Sequence, residues 1–297
     1  MVVGATGFLG THVWRRAEAA GMEVVTAARS PLPDSPWHVL VDLAADDPGR
    51  LATTLAEVAP DAVVNCAGAV SGPAPRLAAV NITGTYTLVR AMARAAPLAR
   101  LVHLGSAAEY GWSEPGVAVT ERSPARPVGV YGVTKLAATQ LVELARAAVP
   151  HAVVLRVFNP VGPGATTAGL PGRLVAELRT ALAEGVEVRL GPLDAVRDFV
   201  DVRDVAEAAL TAATAPTLPH PIVNIGSGRG VPVRTLVTHL TTLSGYHGRV
   251  CEDSAGSTRS ADVPWQQADI SLARADLGWR PRRDLVVSLA DLWEATS

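Results

Sequence analysis

Short apolar runs rich in valine alternate along the first half of the chain with alanine- and leucine-rich segments of helical period. The strand-like runs are MEVVTAAR, DAVVNCAG, ARLVHLGSA and HAVVLRVFN. Strands that are apolar throughout and separated by helices indicate a parallel sheet that is covered on both faces. The run MVV before the first glycine predicts either a start further upstream or a short first strand, since a buried strand usually has about five residues.

The segment YGVTKLAATQLVELARAA has apolar residues three or four positions apart, which is typical of a helix with one buried face. The predicted buried stripe consists of Val133, Ala137, Leu141, Leu144 and Ala148. We therefore expect these five residues to pack this helix onto the rest of the protein.

The regular alternation ends at RVFNPVGPGATTAGLPG, a stretch dense in glycine and proline. Beyond it, helices such as GRLVAELRTALAEG mix with isolated strands such as PIVNIGS. The chain is thus predicted to be α/β, with a doubly wound parallel-sheet Rossmann domain over residues 1–162 and a smaller C-terminal α/β domain over 163–297. The second domain is expected mainly to bind substrate, and parts of about 195–226 to return to the first sheet.

Composition and charge narrow the classes of function. The chain is 48% hydrophobic but 4% aromatic, which indicates a globular core of Ala, Val and Leu. Its 26 basic and 28 acidic residues nearly cancel and form no basic stripe, so we expect no nucleic-acid partner. Because no apolar run approaches the roughly 20 residues of a membrane span, we expect a cytoplasmic protein without membrane contact. The two cysteines and the histidines show no metal-ligand spacing, so no metal is expected.

A glycine-rich turn follows the first strand and opens a helix. In VVGATGFLG, Gly4, Gly7 and Gly10 stand three residues apart, where a tight turn, a pyrophosphate and a close helix each exclude side chains. Backbone N–H groups at the start of the helix bind phosphates. This context predicts a dinucleotide cofactor.

The end of the second strand bears on which dinucleotide is bound. A carboxylate there would bind the ribose 2′-hydroxyl of NAD, but the sequence TAARS supplies Arg29, which can pair with the 2′-phosphate of NADP. NADP(H) is therefore favoured over NAD(H). The expected cofactor-binding residues are Gly4, Thr6, Gly7, Phe8, Leu9, Gly10, Arg29, Ser30, Asp42, Leu43, Ala67, Gly68 and Ala69.

Candidate catalytic residues lie in the run GVYGVTK. Hydride transfer to a ketone leaves charge on oxygen, so a proton donor is needed within hydrogen-bond reach. Tyr131 is a weak acid alone, with a pKa near 10, but Lys135 lies four positions on and favours its phenolate. A hydroxyl from Ser106, after the strand RLVHLG, could hold the carbonyl oxygen.

An ordered set of motifs over nearly the whole chain resembles the extended short-chain dehydrogenase/reductases of the NAD-dependent epimerase/dehydratase family, in their sugar-nucleotide branch. The motifs are GATGFLG, NCAG, NITGTYTLV, GSAAEYG, YGVTK, RVFNPVGPG, RDFVDVRDV, NIGSG and ARADLGWRPR. GSAAEYG, AVRDFVDVRDV and RSADVP are most similar to reductases of nucleotide-linked 4-keto-6-deoxymannose.

The resemblance implies roles for individual residues. It implies a catalytic triad of Ser106, Tyr131 and Lys135, with Asn81 positioning a helix near the site. It adds to the cofactor site Tyr131, Lys135, Asn159, Pro160 and Val161, with Lys135 on the nicotinamide ribose. It implies that the substrate is bound by Ser106, Ala107, Ala108, Asn159, Arg197 and Arg259, the two arginines holding a pyrophosphate.

Two departures leave the substrate open. GATTAGLPGRLV lacks the aromatic residue that relatives often place near the nucleotide base, and Pro192 stands where this branch usually has asparagine. The expected partner is therefore a small-molecule ketone, either a nucleotide-linked 4-keto-6-deoxysugar or a polyketide-type ketone of antibiotic biosynthesis in a pocket lined from Ala165 to Val175. Relatives commonly form dimers, so a homodimer is expected by analogy.

Other activities stay open beside this NADPH-dependent ketoreductase. An NAD-dependent sugar-nucleotide epimerase is the main alternative, although Arg29 fits poorly with retained NAD. Dehydratases of the family carry an Asp-Glu pair where this chain has Ala107 and Ala108, which argues against dehydration. A non-catalytic cofactor-binding protein on the same fold is the third hypothesis.

Overall fold

The computed structural model describes residues 1–253 and 263–295. Strands and helices alternate through the first half. In chain order they are β1 (Val2–Val3), α1 (Phe8–Ala19), β2 (Thr26–Ala28), β3 (His38–Leu40), α2 (Pro48–Val58), β4 (Ala62–Asn65), α3 (Ala74–Ala78), α4 (Gly84–Ala95), β5 (Arg100–Ser106), α5 (Val130–Ala145) and β6 (Ala152–Val157). A π-helical segment, Ala79–Thr83, joins α3 to α4, and a 3₁₀ turn, Ala107–Glu109, follows β5.

The second half is less regular. Its elements are β7 (Asn159–Val161), α6 (Leu170–Glu184), β8 (Val188–Arg189), β9 (Val196–Asp201), α7 (Val202–Thr214), β10 (Ile222–Ile225), β11 (Gly230–Pro232), α8 (Val233–Ser244), β12 (Val250–Cys251), β13 (Trp265–Gln266), α9 (Ser271–Leu277) and α10 (Leu285–Ala295). Among the described residues, no helix is long and apolar enough to cross a membrane.

Seven strands form one parallel sheet in the order β10-β6-β5-β4-β1-β2-β3. Every residue of β6 is buried, as expected of a strand covered by helices on both faces. Separate apolar cores lie on the two faces, one built around Val13 and Val205 and the other around Leu55 and Met92. The predicted doubly wound Rossmann sheet is confirmed, and β10 joins it at one edge.

The strand order reverses between β1 and β4, because the chain first builds outward to β3 and then returns to the other side of β1. In open α/β sheets, ligands bind in the crevice at the carboxyl ends of the strands on either side of such a reversal. The topology therefore locates the functional site before any side chain is considered.

The C-terminal half has its own small sheets and core. Strand β9 pairs with β11, β13 and β7, and β12 pairs with β8. A third apolar core, which includes Leu178, Leu190, Leu236 and Leu289, lies between these strands and helices α6, α8 and α10. This half stands beside the carboxyl edge of the main sheet, where β7 continues from β6.

The predicted buried stripe of α5 is wrong. Val133 is 51% exposed and Leu144 is 78% exposed, and none of the five predicted residues is buried. The buried residues of this helix are Gly132, Thr134, Lys135, Ala138, Thr139 and Val142. The periodicity equated apolar with buried, whereas the inner face of α5 carries small residues and polar ones that find hydrogen-bond partners inside.

Three buried aspartates lie along the segment that runs from β9 into α7. Asp198 accepts hydrogen bonds from the backbone N–H groups of Ser227, Gly228 and Ala268 at 2.6–3.0 Å. These contacts tie β9 to the loop after β10 and to the segment after β13. Burial raises the pKa of Asp198 despite these donors.

The second and third aspartates bind helix α10 and the turn before it. Asp201 accepts from the hydroxyl of Ser288 at 2.6 Å and from Arg203. Burial would raise the pKa of Asp201, but the hydrogen bonds from Arg203 and Ser288 hold it below its ordinary value. Asp204 accepts from the N–H groups of Arg282 and Arg283 at 2.9 Å and from the Arg283 guanidinium at 2.6 Å.

Replacing Asp204 with asparagine should lower the free energy of unfolding by about 3 kcal/mol, because one amide oxygen cannot accept from three donors and Arg283 loses its counter-charge. Urea unfolding followed by circular dichroism measures the change. Glu57→Gln, an exposed site on α2, serves as the control and should stay within about 0.5 kcal/mol of the parent. An unchanged unfolding midpoint for Asp204→Asn would show that the hydrogen bonds from Arg282 and Arg283 to Asp204 do not stabilise the fold.

Candidate active site

The glycine turn between β1 and α1 is closed against the next strand. Gly4 has φ +78°, and a Cβ on it would lie 2.6 Å from the backbone nitrogen of Ala67. A Cβ on Gly10 would collide with the carbonyl oxygen of Gly4. Neither position therefore tolerates a side chain, and the N–H groups at the start of α1 remain directed at the crevice, as phosphate binding requires. These features fit a dinucleotide.

The other sequence-predicted cofactor residues lie along the same carboxyl edge. Arg29 and Ser30 directly follow β2 and are exposed, while Asp42 and Leu43 follow β3. Leu43 is buried, and Asp42 accepts from the N–H of Ala44 at 3.1 Å within its own turn. The segment Ala67–Ala69 follows β4 beside the glycine turn.

One large cavity of about 910 Å³ opens at this edge, between the main sheet and the C-terminal half. It is lined on the cofactor side by Gly7, Phe8, Leu9, Cys66 and Gly68. On the other side it is lined by Ser106, Ala107, Ala108, Tyr131, Asn159, Pro160 and Arg197. The cavity thus brings together the ends of β4, β5 and β6 with the start of α5.

Lys135 is buried beside this cavity. Its Nζ donates a 2.6 Å hydrogen bond to the carbonyl oxygen of Leu104 in β5, and a Cβ added to Gly68 would lie 4.0 Å from it. Burial lowers the pKa of Lys135, while the negative charge of Glu109 opposes that shift. Lys135 is also the only lysine in the chain; the other 25 of the 26 basic residues are arginines.

The presence of a single lysine is informative. An ammonium can lose its proton when it is buried, whereas a guanidinium stays charged, so the two residues are not interchangeable at such a site. This signal was available in the sequence and would have singled out position 135 without any motif. It supports a role for Lys135 that depends on a titratable, compact cation.

Ser106 ends β5 and takes part in the turn that follows. Its Oγ accepts the N–H of Ala108 at 3.2 Å, and its backbone N–H donates to Glu109 at 2.8 Å. A hydroxyl that accepts one bond still has its own proton to donate. Ser106 therefore caps the 3₁₀ turn and remains able to hydrogen-bond an oxygen in the cavity.

Asn81 anchors the helix that carries Tyr131 and Lys135. Its side chain pairs with both backbone groups of Ala69, at 2.8 and 3.0 Å, and donates to the hydroxyl of Thr134 at 2.9 Å. Thr134 in turn donates to the carbonyl oxygen of Tyr131 at 2.8 Å. Asn81 lies in the π-helical segment, and such segments occur frequently at functional sites.

Cys66 and His103 stay neutral beside Lys135. Burial raises the pKa of the Cys66 thiol to about 12, although Lys135 opposes the shift. Burial and then Lys135 lower the pKa of His103 well below its ordinary value. Neither Cys66 nor His103 therefore carries a charge that would act on the Lys135 ammonium.

The substrate side holds one buried arginine of the two expected. Arg197 lines the cavity, is 7% exposed, and has its pKa lowered to about 10 by burial. Arg259 lies outside the described residues. The neighbouring Asp198 accepts hydrogen bonds from backbone N–H groups, and Asp201 accepts them from Ser288 and Arg203. Asn159 donates to the carbonyl oxygen of Asp198 at 2.9 Å, while Val161 points into the third core and can offer a ligand only its backbone.

Several cavity residues were missed by the sequence motifs. Trp112 lines the cavity although the residue is 57% exposed, and Arg173 and Gln266 line it as well. The segment from Ala165 to Pro171 lines the wall as predicted for an apolar pocket, but Val175 is buried in the third core instead. The sequence could have indicated Trp112, because it is a large aromatic residue directly after the motif GSAAEYG.

A histidine in α1 links the cofactor helix to the C-terminal half. His12 Nε2 lies 2.8 Å from the carbonyl oxygen of Pro163, and the rings of His12 and Phe8 meet edge to face. Burial lowers the pKa of His12, so the neutral imidazole is favoured. Among the described residues, no group of three or more His, Cys, Asp and Glu is arranged to hold a metal ion.

Comparison with known proteins agrees with this geometry. Residues 1–226 match the NAD dependent epimerase/dehydratase family. The dTDP-6-deoxy-L-talose 4-dehydrogenase (NAD(P)(+)) of Kitasatospora kifunensis is 40% identical over 100% of this chain and 95% of that protein. The GDP-6-deoxy-D-mannose reductase of Pseudomonas aeruginosa is 27% identical over 99% of this chain and 96% of that protein.

Among solved structures, MoeE5 in complex with UDP-glucose and NAD superposes with a TM-score of 0.85 and 30% identity, covering 99% of this chain and 97% of that one. The match therefore extends through the C-terminal half as well as the Rossmann sheet. The resemblance inferred from the motifs is confirmed. This chain is an NAD(P)-dependent enzyme with the extended short-chain dehydrogenase/reductase fold, and it belongs to the NAD-dependent epimerase/dehydratase family.

Proposed function

We propose that this enzyme interconverts the 4-ketone and the 4-hydroxyl of a nucleotide-linked 6-deoxyhexose, with NADP(H) preferred over NAD(H). The observation that carries the proposal is the placement of Ser106 and Tyr131 in the wall of one cavity, beside the buried Lys135 and the glycine turn. The sugar class is supported by the two curated relatives, whose names specify a dTDP-linked and a GDP-linked 6-deoxyhexose.

Tyr131, Ser106 and Lys135 each have a separate role in moving the proton. Bound NADP(H) supplies or accepts the hydride. In the direction of reduction, the Tyr131 hydroxyl donates a proton to the ketone oxygen while the Ser106 hydroxyl hydrogen-bonds the same oxygen. The Lys135 ammonium stabilises the phenolate that Tyr131 becomes, and its bond to Leu104 holds it in place. Ketone, hydride and proton together give the alcohol.

The far wall of the cavity fits a phosphorylated ligand. Arg197 is a buried cation there, and guanidinium groups bind diphosphates through strong charge-assisted hydrogen bonds. Trp112 presents an exposed ring at the same cavity, which suits the apolar face of a deoxysugar. A diphosphate-linked substrate is therefore favoured over a neutral polycyclic ketone.

A substrate panel tests the sugar assignment. NADPH oxidation is followed with dTDP-linked and GDP-linked 4-keto-6-deoxyhexoses and with polycyclic ketones. The proposal expects turnover with a nucleotide sugar; turnover with polycyclic ketones alone would replace it by the polyketide assignment. Tightly retained NAD, with 4-epimerisation of a UDP-hexose and no net NADPH consumption, would identify an epimerase instead.

Tyr131→Phe and Lys135→Ala should each lower kcat about 10²- to 10⁴-fold, because the first removes the proton donor and the second removes the charge that stabilises the phenolate. Steady-state kinetics with the substrate identified by the panel measures the loss. Tyr86→Phe, on the exposed side of α4, should leave kcat unchanged. Full activity of both Tyr131→Phe and Lys135→Ala would show that the proton takes another route.

Arg29→Ala should lower the ratio of kcat/KM with NADPH to kcat/KM with NADH about tenfold or more, because the 2′-phosphate loses its guanidinium partner at the exposed end of β2. The exposed Arg280 provides the control, since Arg280→Ala removes a positive charge elsewhere on the surface. An unchanged ratio for Arg29→Ala would mean that Arg29 is only a solvated charge and that cofactor preference is set elsewhere.

We further propose that two copies associate through α4 and α5. The apolar residues Val133 and Leu144 on α5 and Tyr86 on α4 face outward, and exposed apolar surface of this kind marks an interaction site. The two helices pack side by side, so they present one continuous surface.

Leu144→Glu should convert a dimer into a monomer, because a carboxylate would be buried without a partner at the contact. Size-exclusion chromatography with light scattering gives the mass at several protein concentrations. Leu182→Glu places the same charge on α6, where the parent leucine is 47% exposed, and should leave the mass unchanged. A monomeric parent, or a Leu144→Glu variant that stays dimeric, would rule out this interface.

A further inference from the structure

Glu109 is a fully buried carboxylate directly behind the catalytic serine. It ends the 3₁₀ turn that follows β5 and is 0% exposed. Burying a carboxylate is costly unless it is paired and hydrogen-bonded. The proton chemistry described above makes no use of this residue, so the burial of its carboxylate beside the site requires a separate explanation.

The carboxylate connects three elements of the site. Its Oε1 accepts the backbone N–H of Ser106 at 2.8 Å. Its Oε2 accepts from the hydroxyl of Thr139 on α5 at 2.9 Å and from Nε of Arg156 on β6 at 2.7 Å. Thr139 lies one helical turn beyond Lys135. Glu109 thus joins the end of β5 that bears the serine to the helix that bears the tyrosine and the lysine.

The backbone around Glu109 is shaped to admit it. A Cβ added to Gly105 would lie 2.7 Å from Glu109 Oε1, and a Cβ added to Gly132 would lie 2.5 Å from the carbonyl oxygen of Ala108. The first glycine makes room for the carboxylate in β5. The second lets the first turn of α5 pack directly onto the 3₁₀ turn.

Charge is a second link between Glu109 and the site. The titratable and charged groups that surround Lys135 are Glu109 from the turn, Cys66 after β4, His103 on β5, Tyr131 on α5 and, paired with Glu109, Arg156 on β6. Cys66 and His103 are neutral, as shown above. Glu109 therefore supplies the main negative charge that offsets the burial of the Lys135 ammonium.

We propose that Glu109 is a positioning residue of this active site, which fixes Ser106 against helix α5 and keeps Lys135 in its charged form. The inference rests on the proposed function for its kinetic consequences, but its electrostatic part does not need turnover. Because Lys135 is the only lysine, selective ¹⁵N labelling of lysine gives a single side-chain NMR signal whose titration reports its pKa directly.

The main variant is Glu109→Gln combined with Arg156→Met, which removes both charges and leaves no buried ion without its partner. The Lys135 pKa should fall by about one unit relative to the parent, since burial is then less opposed. Lys135 would lose its proton at lower pH, so the alkaline limb of the kcat profile should shift to lower pH. At the parent's pH optimum, kcat should fall about tenfold with the cofactor Kd unchanged.

A second variant tests the geometric link alone. Thr139→Val is nearly isosteric, keeps the ion pair and removes the hydrogen bond from α5 to Glu109. It should lower kcat about threefold without moving the Lys135 pKa. Leu240→Ala in the third core is the control for general destabilisation, and it should change neither the kcat nor the Lys135 pKa well below its melting temperature.

An unchanged Lys135 pKa in the folded double variant, or an unchanged kcat in Thr139→Val, would reduce Glu109 to a structural residue. If the double variant does not fold, Thr139→Val still decides the geometric claim. Failure of the proposed function has a different signature: the parent would turn over no nucleotide sugar, or Tyr131→Phe would be fully active, while the Lys135 titration would remain interpretable.

Discussion

Carboxylates cannot be buried without donors, and this constraint ties the segment from β9 into α7, whose helix packs on the main sheet, to the rest of the C-terminal half. Asp198, Asp201 and Asp204 occur at intervals of three along one short segment, and each is at most 2% exposed. Apart from Arg203, which binds Asp201, their partners lie between positions 227 and 288. Detaching the small sheets and α10 from this segment would leave the three carboxylates unpaired or exposed, so these elements keep one position relative to α7 and to the main sheet on which α7 packs.

The catalytic side depends on a similar principle at closer range. Asn81 and Glu109 are both buried, and each uses its side chain to join α5 to a neighbouring segment. Together with the Lys135–Leu104 hydrogen bond and the buried Ala138 and Val142, these contacts hold the helix that carries Tyr131 and Lys135 in place of the predicted apolar stripe. Such contacts are directional, so they define the rotation of the helix about its axis as well as its distance from the sheet.

The sequence was sufficient to predict the main sheet and the position of the glycine turn. The valine-rich runs contain β2, β4, β5 and β6, and the glycine motif lies where a strand meets a helix, because both signals are local. The burial of α5 was not predictable in the same way. Periodicity assigns apolar residues to the core, and it has no means of recognising that Thr139 and Lys135 find partners more than 25 positions away in sequence.

The contacts of Glu109 and of the three aspartates could not be predicted from the sequence, for the same reason. Asp198 binds the N–H of Ala268, and Arg156 binds Glu109, across 70 and 47 positions respectively. A single sequence contains each residue but not the pairing. Arg197 was proposed from its motif, and the structure adds that it is nearly buried in the cavity wall.

The exposed end of β2 can accept different side chains, whereas the glycine turn beside it cannot. Around Gly4 and Gly10 the backbone leaves no space for any side chain, so that turn is closed to mutational change. Arg29 and Ser30 lie outside this packed region, with their side chains in solvent. Side chains at these two positions can therefore change while the fold is untouched, so the cofactor preference that we propose for Arg29 would be a poor marker of descent among proteins built this way.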